Sequence, residues 1–395
     1  MKQRIYPVAK VTKKAQRALE GGHPWVYAAE ITELSPVPEN GGLVDVISEK
    51  GSYLGTAMYS LHSKIALRIL SRNANDSFDE GFFERRIGYA WNLRQTVMDD
   101  VSACRVIFGE ADGFPGLTVD KYNDILVTQV MSYGIEKRKD IIFPLLLKVI
   151  PGINGIFERN DVKLRELEGL EQGKGWYCRK EGLSTLTEIC ENGVYYAVDV
   201  ENGQKTGFFL DQKYNRAAVA RYAKGRRVLD CFTHTGSFAL NAALGGAASV
   251  TAADISADAL ALARANAERN GLAVDFIQTD VFDLLPKIEG HPYDFIILDP
   301  PAFTKSRKTV DSAERGYREI NYRAMKLLPR GGLLATCSCS HFMEDELFVA
   351  MLRRAAKDAN VSLLQLEARQ QACDHPILWG VPETSYLKFY IFEVV

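Results

Sequence analysis

Four aspartates, Asp230, Asp254, Asp280 and Asp299, each stand just beyond a short apolar run, and their types and spacing could hold a small charged ligand. In a sheet wound with helices on both faces, ligands sit beyond the carboxyl ends of the strands, so side chains at those ends are the ones to inspect. Asp230 opens the turn Asp230-Cys231-Phe232-Thr233-His234-Thr235-Gly236. With a single glycine, this turn does not offer the close backbone approach that a dinucleotide pyrophosphate needs. An acid followed by Gly236 at a helix start suits a smaller ligand bearing an ammonium and a carboxylate. Asp254 lies 24 residues further on, about the spacing at which an acid bonds ribose hydroxyls. Asp280 could accept from an adenine amino group, and Asp299 begins Asp299-Pro300-Pro301-Ala302-Phe303. Each acid alone is also explained as a helix cap; four after four successive strands are harder to dismiss.

A second constellation is Cys337-Ser338-Cys339, at the end of the apolar run Gly331-Gly332-Leu333-Leu334-Ala335-Thr336. On an extended strand Cys337, Cys339 and His341 would share a face and could offer three ligands to zinc, but no second Cys/His cluster accompanies them. Buried inert thiols are the plainer alternative, a description that suits Cys231 and Cys190 better than a cysteine at the ligand end of a sheet.

The elements that must position these groups begin near residue 227. Strand-like runs at 227–229, 249–252, 274–278, 294–298, 333–336 and 362–366 alternate with helical segments such as 256–270 and 344–359, which predicts βα units around a mainly parallel sheet. No helical segment clearly precedes the last run, 386–393, so that strand is expected to be antiparallel. Upstream, residues 1–72 alternate short apolar runs with Gly-rich turns and read as a small barrel or sandwich. The polar stretch 71–77 reads as a linker, and a mixed α/β segment follows to about residue 188. Its turn Gly109–Leu117 carries two acids and reads as a structural hairpin.

Composition bounds the rest. The chain is 47% hydrophobic and 25% charged, with 31 Gly, 14 Pro and net charge -2. It therefore has material for several cores and no overall positive field to mark a nucleic-acid binder. Basicity is local: six Lys and Arg without an acid in the first seventeen residues, and eight against three acids in 304–330. Either patch could meet phosphate or simply be a solvated surface. The amino terminus is too charged for a secretory signal and no apolar run is long enough for a membrane span, so a cytoplasmic protein without membrane association is expected, its seven cysteines reduced.

The strand-end residues resemble the class I S-adenosylmethionine-dependent methyltransferases. Asp230 to Gly236 is similar to their first motif, Asp254 to the ribose-binding acid, Asp280 to the adenine-side acid, and Asp299-Pro300-Pro301 to the fourth, catalytic motif. Gly331 to Ser340 resembles the sixth motif of RNA 5-methylcytosine methyltransferases, and counting from Gly331 puts their nucleophile on Cys339. A thiol suits that chemistry, because carbon 5 of cytosine is a poor nucleophile until a thiolate adds at carbon 6. Asp299 would hold the amino group and ring nitrogen 3. Where related enzymes carry a second cysteine after the proline pair, this chain has Ala302, so another base must release the product.

Gly22-His23-Pro24-Trp25-Val26-Tyr27 resembles the start of a PUA domain. With Glu110 to Asp120, Gly203 to Gln212, Asp374-His375-Pro376 and Pro382 to Lys388, the whole chain resembles the bacterial ribosomal RNA large subunit methyltransferase I family. The resemblance implies a Rossmann-like α/β methyltransferase sheet, mainly parallel with an antiparallel last strand. An N-terminal PUA-like β-barrel (1–72) and a small α/β central domain (73–188) precede the methyltransferase domain (189–395). It implies S-adenosylmethionine as cofactor, enclosed by Thr206, Phe208, Asp211, Gln212, Asp230, Phe232, Gly236, Asp254, Asp280 and Asp299, with Cys339 and Asp299 catalytic. The implied substrate is a flipped or single-stranded cytosine of 23S rRNA, and a homodimer is suggested. Two alternatives remain open: methylation of a guanine nitrogen, which Asp-Pro-Pro permits, and a non-catalytic RNA-binding assembly factor.

Overall fold

A computed structural model describes residues 5–304 and 306–395. Lys2, Arg4 and Lys305, which contribute to the two basic patches, lie outside the described residues. The chain forms two compact units: Met1–Ile189 with Val198–Leu210 and Cys373–Thr384, and Cys190–Ala197 with Asp211–Ala372 and Ser385–Val395.

The first unit holds two separate sheets. A six-stranded sheet contains the expected strands Trp25–Tyr27, Leu43–Ser48, Tyr53–Tyr59 and Ile65–Ser71, and two further ones, Val8–Val11 and Ile31–Ser35. Val8–Val11 runs through the basic arm; it pairs parallel to Leu43–Ser48 and antiparallel to Ile31–Ser35. Its alternate residues Ala9 and Val11 join the core of Val26, Val44, Val46, Leu67 and Ile69. Part of the arm's charge is consumed there, Lys10 pairing with Glu33 and Lys14 with Glu30.

A five-stranded sheet follows, from Ala103–Phe108 to Lys174–Arg179, in chain order and packed by the helices Glu80–Val97 and Lys139–Val149. The acidic turn 109–117 is structural. Asp112 takes both ends of the fully buried Arg94 guanidinium, at 2.5 and 2.8 Å, and caps the Phe108 amide at 2.6 Å. A cavity of about 890 Å³ within this unit is bordered by Trp25, Arg68, Glu110 and Glu168, which are already joined to one another as Trp25–Glu110 and Arg68–Glu168.

The second unit is built on seven strands: β1 (Arg227–Cys231), β2 (Ser249–Asp254), β3 (Asp275–Gln278), β4 (Phe295–Leu298), β5 (Leu333–Ser338), β6 (Leu363–Arg369) and β7 (Lys388–Val394). Their order is β3-β2-β1-β4-β5-β7-β6, and β7 runs antiparallel to both neighbours while β3, β2, β1, β4 and β5 are parallel. The two-residue period of a strand sends alternate side chains to opposite faces. Val228, Phe295, Ile297, Leu333, Ala335, Cys337, Phe389 and Ile391 pack one core with the helices Lys213–Ala223 and Ser237–Leu244. Leu229, Cys231, Ile296, Leu298, Leu334, Tyr390 and Phe392 pack the other with Val310–Leu327 and Asp345–Ala359. Buried on both faces, the central strands end together at one edge, where the carboxyl termini of β1, β2, β4 and β5 lie side by side in register.

Candidate active site

The turn after β1 has a constrained backbone. Phe232 and His234 both adopt left-handed conformations, φ 63° and 51°, which residues with a side chain seldom take. Flanking bonds hold them there: Thr233 N–H donates to Ala253 O at 3.0 Å and His234 N–H to Asp254 Oδ2 at 2.8 Å. Gly236 (φ 82°) precedes the helix Ser237–Leu244, and a Cβ there would meet the Ala263 Cβ at 3.1 Å. Strain fixed in this way at a strand end is characteristic of ligand-holding turns.

Asp230 is fully buried. Its Oδ2 accepts from Thr233 Oγ1 at 2.5 Å and from the Ala239 amide at 2.9 Å, whereas Oδ1 has no partner among the described residues. Burial pushes this carboxyl up to about 7. An orphaned buried carboxylate oxygen beside an opened turn fits an incoming ammonium, the group expected of the methionine portion of S-adenosylmethionine. Asp254 divides its oxygens between the His234 and Ser256 amides, so it knits the β1 and β2 turns together; the cap of the helix Ala257–Asn270 is Ser256. Asp280 is exposed and caps the short helix Val281–Leu284 through Oδ1, leaving Oδ2 without a partner among the described residues.

Asp299, just past β4, faces the end of β5. Its Oδ1 receives the Gln212 amide at 3.2 Å and the Cys337 thiol at 3.0 Å. Burial pushes Asp299 up to about 6, against the lowering effect of its bond to Cys337. Cys337 also donates to Leu298 O at 3.3 Å, and burial followed by the Asp299 charge raises its thiol well above the ordinary range. It is a packed donor. Cys339 is different: β5 ends at Ser338, and Cys339 is half-buried on the segment just beyond. That segment is tied down. Ser340 Oγ donates to Thr304 O at 3.0 Å, joining it to the loop after Pro301, and Ser338 Oγ donates to Tyr317 Oη at 3.0 Å. Since the strand stops, Cys337 (buried), Cys339 (half-buried) and His341 (exposed) are not carried on by an extended strand. Among the described residues no group of three or more His, Cys, Asp or Glu is arranged to hold a metal ion.

The remaining residues named from the sequence divide between the units. Gln212 does more than line a site, because it is the donor that orients Asp299 and it is itself held by Asn215 at 2.7 Å. Asp211 Oδ2 accepts from Tyr386 Oη at 2.6 Å. Thr206 and Phe208 belong to the first unit. There the Thr206 hydroxyl donates to Asp120 Oδ2 at 2.6 Å, and the Phe208 amide donates to Tyr122 Oη at 3.1 Å. Sequence reasoning missed the Gln212–Asp299–Cys337 contact, which joins three distant segments and has no local signal.

This fold and strand-end site define a class I S-adenosylmethionine-dependent methyltransferase preceded by a PUA-like domain, and family comparison agrees. The S-adenosylmethionine-dependent methyltransferase family profile matches residues 172–379 and the PUA-like domain profile residues 9–72. Curated relatives are similar over nearly the full length. Proteins named ribosomal RNA large subunit methyltransferase I are 42% identical in Shewanella denitrificans (98% of this chain, 98% of that one) and 40% in Pseudoalteromonas translucida (96% and 97%). A solved structure from Streptococcus mutans, assigned to the SAM-dependent methyltransferases, has the same fold at TM-score 0.81 and 24% identity, covering 98% of this chain and 100% of its own. Another, complexed with SAH, gives TM-score 0.82 at 24% identity, with the same coverage. The chain belongs to the ribosomal RNA large subunit methyltransferase I family.

Proposed function

We propose that this protein is a cytoplasmic enzyme that methylates carbon 5 of a cytosine in 23S rRNA, with Cys339 as nucleophile and Asp299 as the group that binds the base. The names of the relatives support the rRNA substrate. One observation carries the choice of thiol: Cys337 is buried and donates to Asp299 and Leu298 O, whereas Cys339 is half-buried just beyond the strand. We retain the division of labour into a PUA-like part (1–72), a central part (73–188) and a methyltransferase part (189–395).

S-adenosylmethionine, when bound, supplies an electrophilic methyl group on its sulfonium. Asp230 would hold its ammonium, Asp254 its ribose and Asp280 the adenine side, with Phe232 and Gly236 shaping the turn and Asp211 and Gln212 completing the enclosure within the second unit. On the nucleobase side, the Cys339 thiolate adds to carbon 6 and the ring electrons move toward carbon 5, while nitrogen 3 takes a proton from Asp299. A carboxyl pushed up to about 6 retains some proton near neutrality, which suits this donor role. Carbon 5 can then accept the methyl group. A base removes the proton from carbon 5, the 5,6 double bond re-forms, the thiolate leaves, and nitrogen 3 returns its proton to Asp299. Ala302 has no titratable side chain, so the base lies elsewhere.

Duplex pairing shields carbon 6, so the target must be flipped or single-stranded. Mass spectrometry of rRNA nucleosides from cells with and without the gene tests the reading. Loss of a 5-methylcytidine from 23S rRNA is expected; loss of a methylguanosine, or no loss, would refute it.

A further inference from the structure

Lys388 begins β7 and is the register partner of Ser338, the last residue of β5. Its side chain is 7% exposed and its ammonium donates to Ser340 O at 2.7 Å and Tyr386 O at 2.8 Å. No carboxylate lies within ion-pair distance of it among the described residues. A buried lysine without an ion pair is costly, and proteins seldom retain one unless another group uses the charge. Here the ammonium is bound to the carbonyl of the residue following Cys339. Several titratable groups of the described residues lie in this neighbourhood. Lys388 comes from β7, Tyr317 from the helix Val310–Leu327, Cys337 from β5, and Glu344 and Asp345 from the start of the helix Asp345–Ala359. Asp345 is occupied by Tyr390 Oη at 2.6 Å. Of these described groups, Lys388 is the cation.

We propose that Lys388 is a positioning residue for the nucleophile: it clamps the segment that carries Cys339 through Ser340 O and supplies the positive charge against which the Cys339 thiol loses its proton to solvent. The inference rests on the proposed role of Cys339. Burial pushes the Lys388 ammonium down to about 8 and the nearby Cys339 charge works against that shift, so at pH 7 the lysine remains mostly charged. A thiolate beside it offsets the cost of burial, and the same contact makes the thiolate easier to form. No proton passes between the two groups. Lysine stays an ammonium, and the thiolate is the species that adds to the base.

Alkylation of Cys339 by iodoacetamide, followed by peptide mass spectrometry against pH on the full-length protein, tests this directly. The wild-type half-point should lie below the ordinary cysteine value of about 8.5. Lys388→Gln keeps a donor for the carbonyls but not the charge. It should move the half-point up by roughly one pH unit and slow labelling at pH 7 about tenfold, with SAH affinity unchanged as the control for folding. Lys388→Arg should restore most of the wild-type behaviour. An unshifted half-point in Lys388→Gln overturns the proposal. A wild-type half-point at or above about 8.5 overturns it as well, even if the variants fail to fold. Failure of the parent reading is separate: RNA methylation that survives in Cys339→Ala would remove the nucleophile, whatever the titration gives.

Discussion

At the scale of single residues, the site is governed by buried carboxyls whose protons are held above the usual range. Asp230 is pushed up to about 7 by burial, and only one of its oxygens has partners among the described residues. The ligand-free protein therefore binds a proton there through the range in which an unfolded chain has lost it. Because the folded value lies above the unfolded one, this group's contribution to stability is full below about pH 4 and is lost as pH rises through about 7. An ammonium on the orphaned oxygen reverses the preference. SAH affinity should rise from pH 6 to pH 8, approaching tenfold per unit at the lower end, and Asp230→Asn should abolish that dependence as well as weakening binding. Calorimetric titration across the range is the check; a pH-independent affinity in the wild type would contradict the assigned role. Gln212 is the second residue to probe. Gln212→Ala removes a donor from a buried carboxylate, a loss of about 1–3 kcal/mol, and should lower kcat by roughly tenfold or more in a steady-state assay.

At the scale of elements, what the sequence makes legible is what periodicity and position encode. The seven strands of the methyltransferase sheet, the antiparallel last strand and the acids at the ends of β1 and β4 can be read from alternating apolar runs and the residues that stop them. Val8–Val11 cannot, because a four-residue strand with Lys10 inside it and Lys13 and Lys14 just after it carries the signature of a solvated arm. Nor can the pairing of Cys337 with Asp299. It depends on β4 and β5 being register neighbours and on Gln212 reaching them from a segment 87 residues before Asp299. The turn at 109–117 illustrates the opposite case, acids that look like a ligand loop and serve packing. Arg94 gives Asp112 two bonds and also donates to the carbonyls of Arg105 and Asp374, with no exposed surface of its own. Arg94→Met should therefore leave a buried carboxylate uncompensated and cost about 3–5 kcal/mol. Urea denaturation should register this as a lower midpoint for the unit that contains it.

At the scale of the whole molecule, a chain of net charge -2 must bind an RNA polyanion through local patches. The stretch 304–330 is the stronger of the two after ion pairs are discounted. Arg318 is taken by Asp358 and Arg323 by Glu319, yet Arg307, Lys308, Arg315, Lys326 and Arg330 are exposed without an ion pair among the described residues. Replacing Arg307 and Lys308 by alanine should weaken RNA binding and reduce the slope of log affinity against log salt by roughly 1.4–1.8. An unchanged slope would move the RNA path away from this loop and helix. The central claim remains the identity of the thiol that attacks the base. RNA carrying 5-fluorocytosine at the target cannot lose the substituent that the final step must remove, so the attacking cysteine should stay covalently bound after methyl transfer. Incubation with S-adenosylmethionine and such RNA should give a denaturation-resistant adduct in the wild type and in Cys337→Ala and none in Cys339→Ala; an adduct that survives in Cys339→Ala and vanishes in Cys337→Ala would contradict the account.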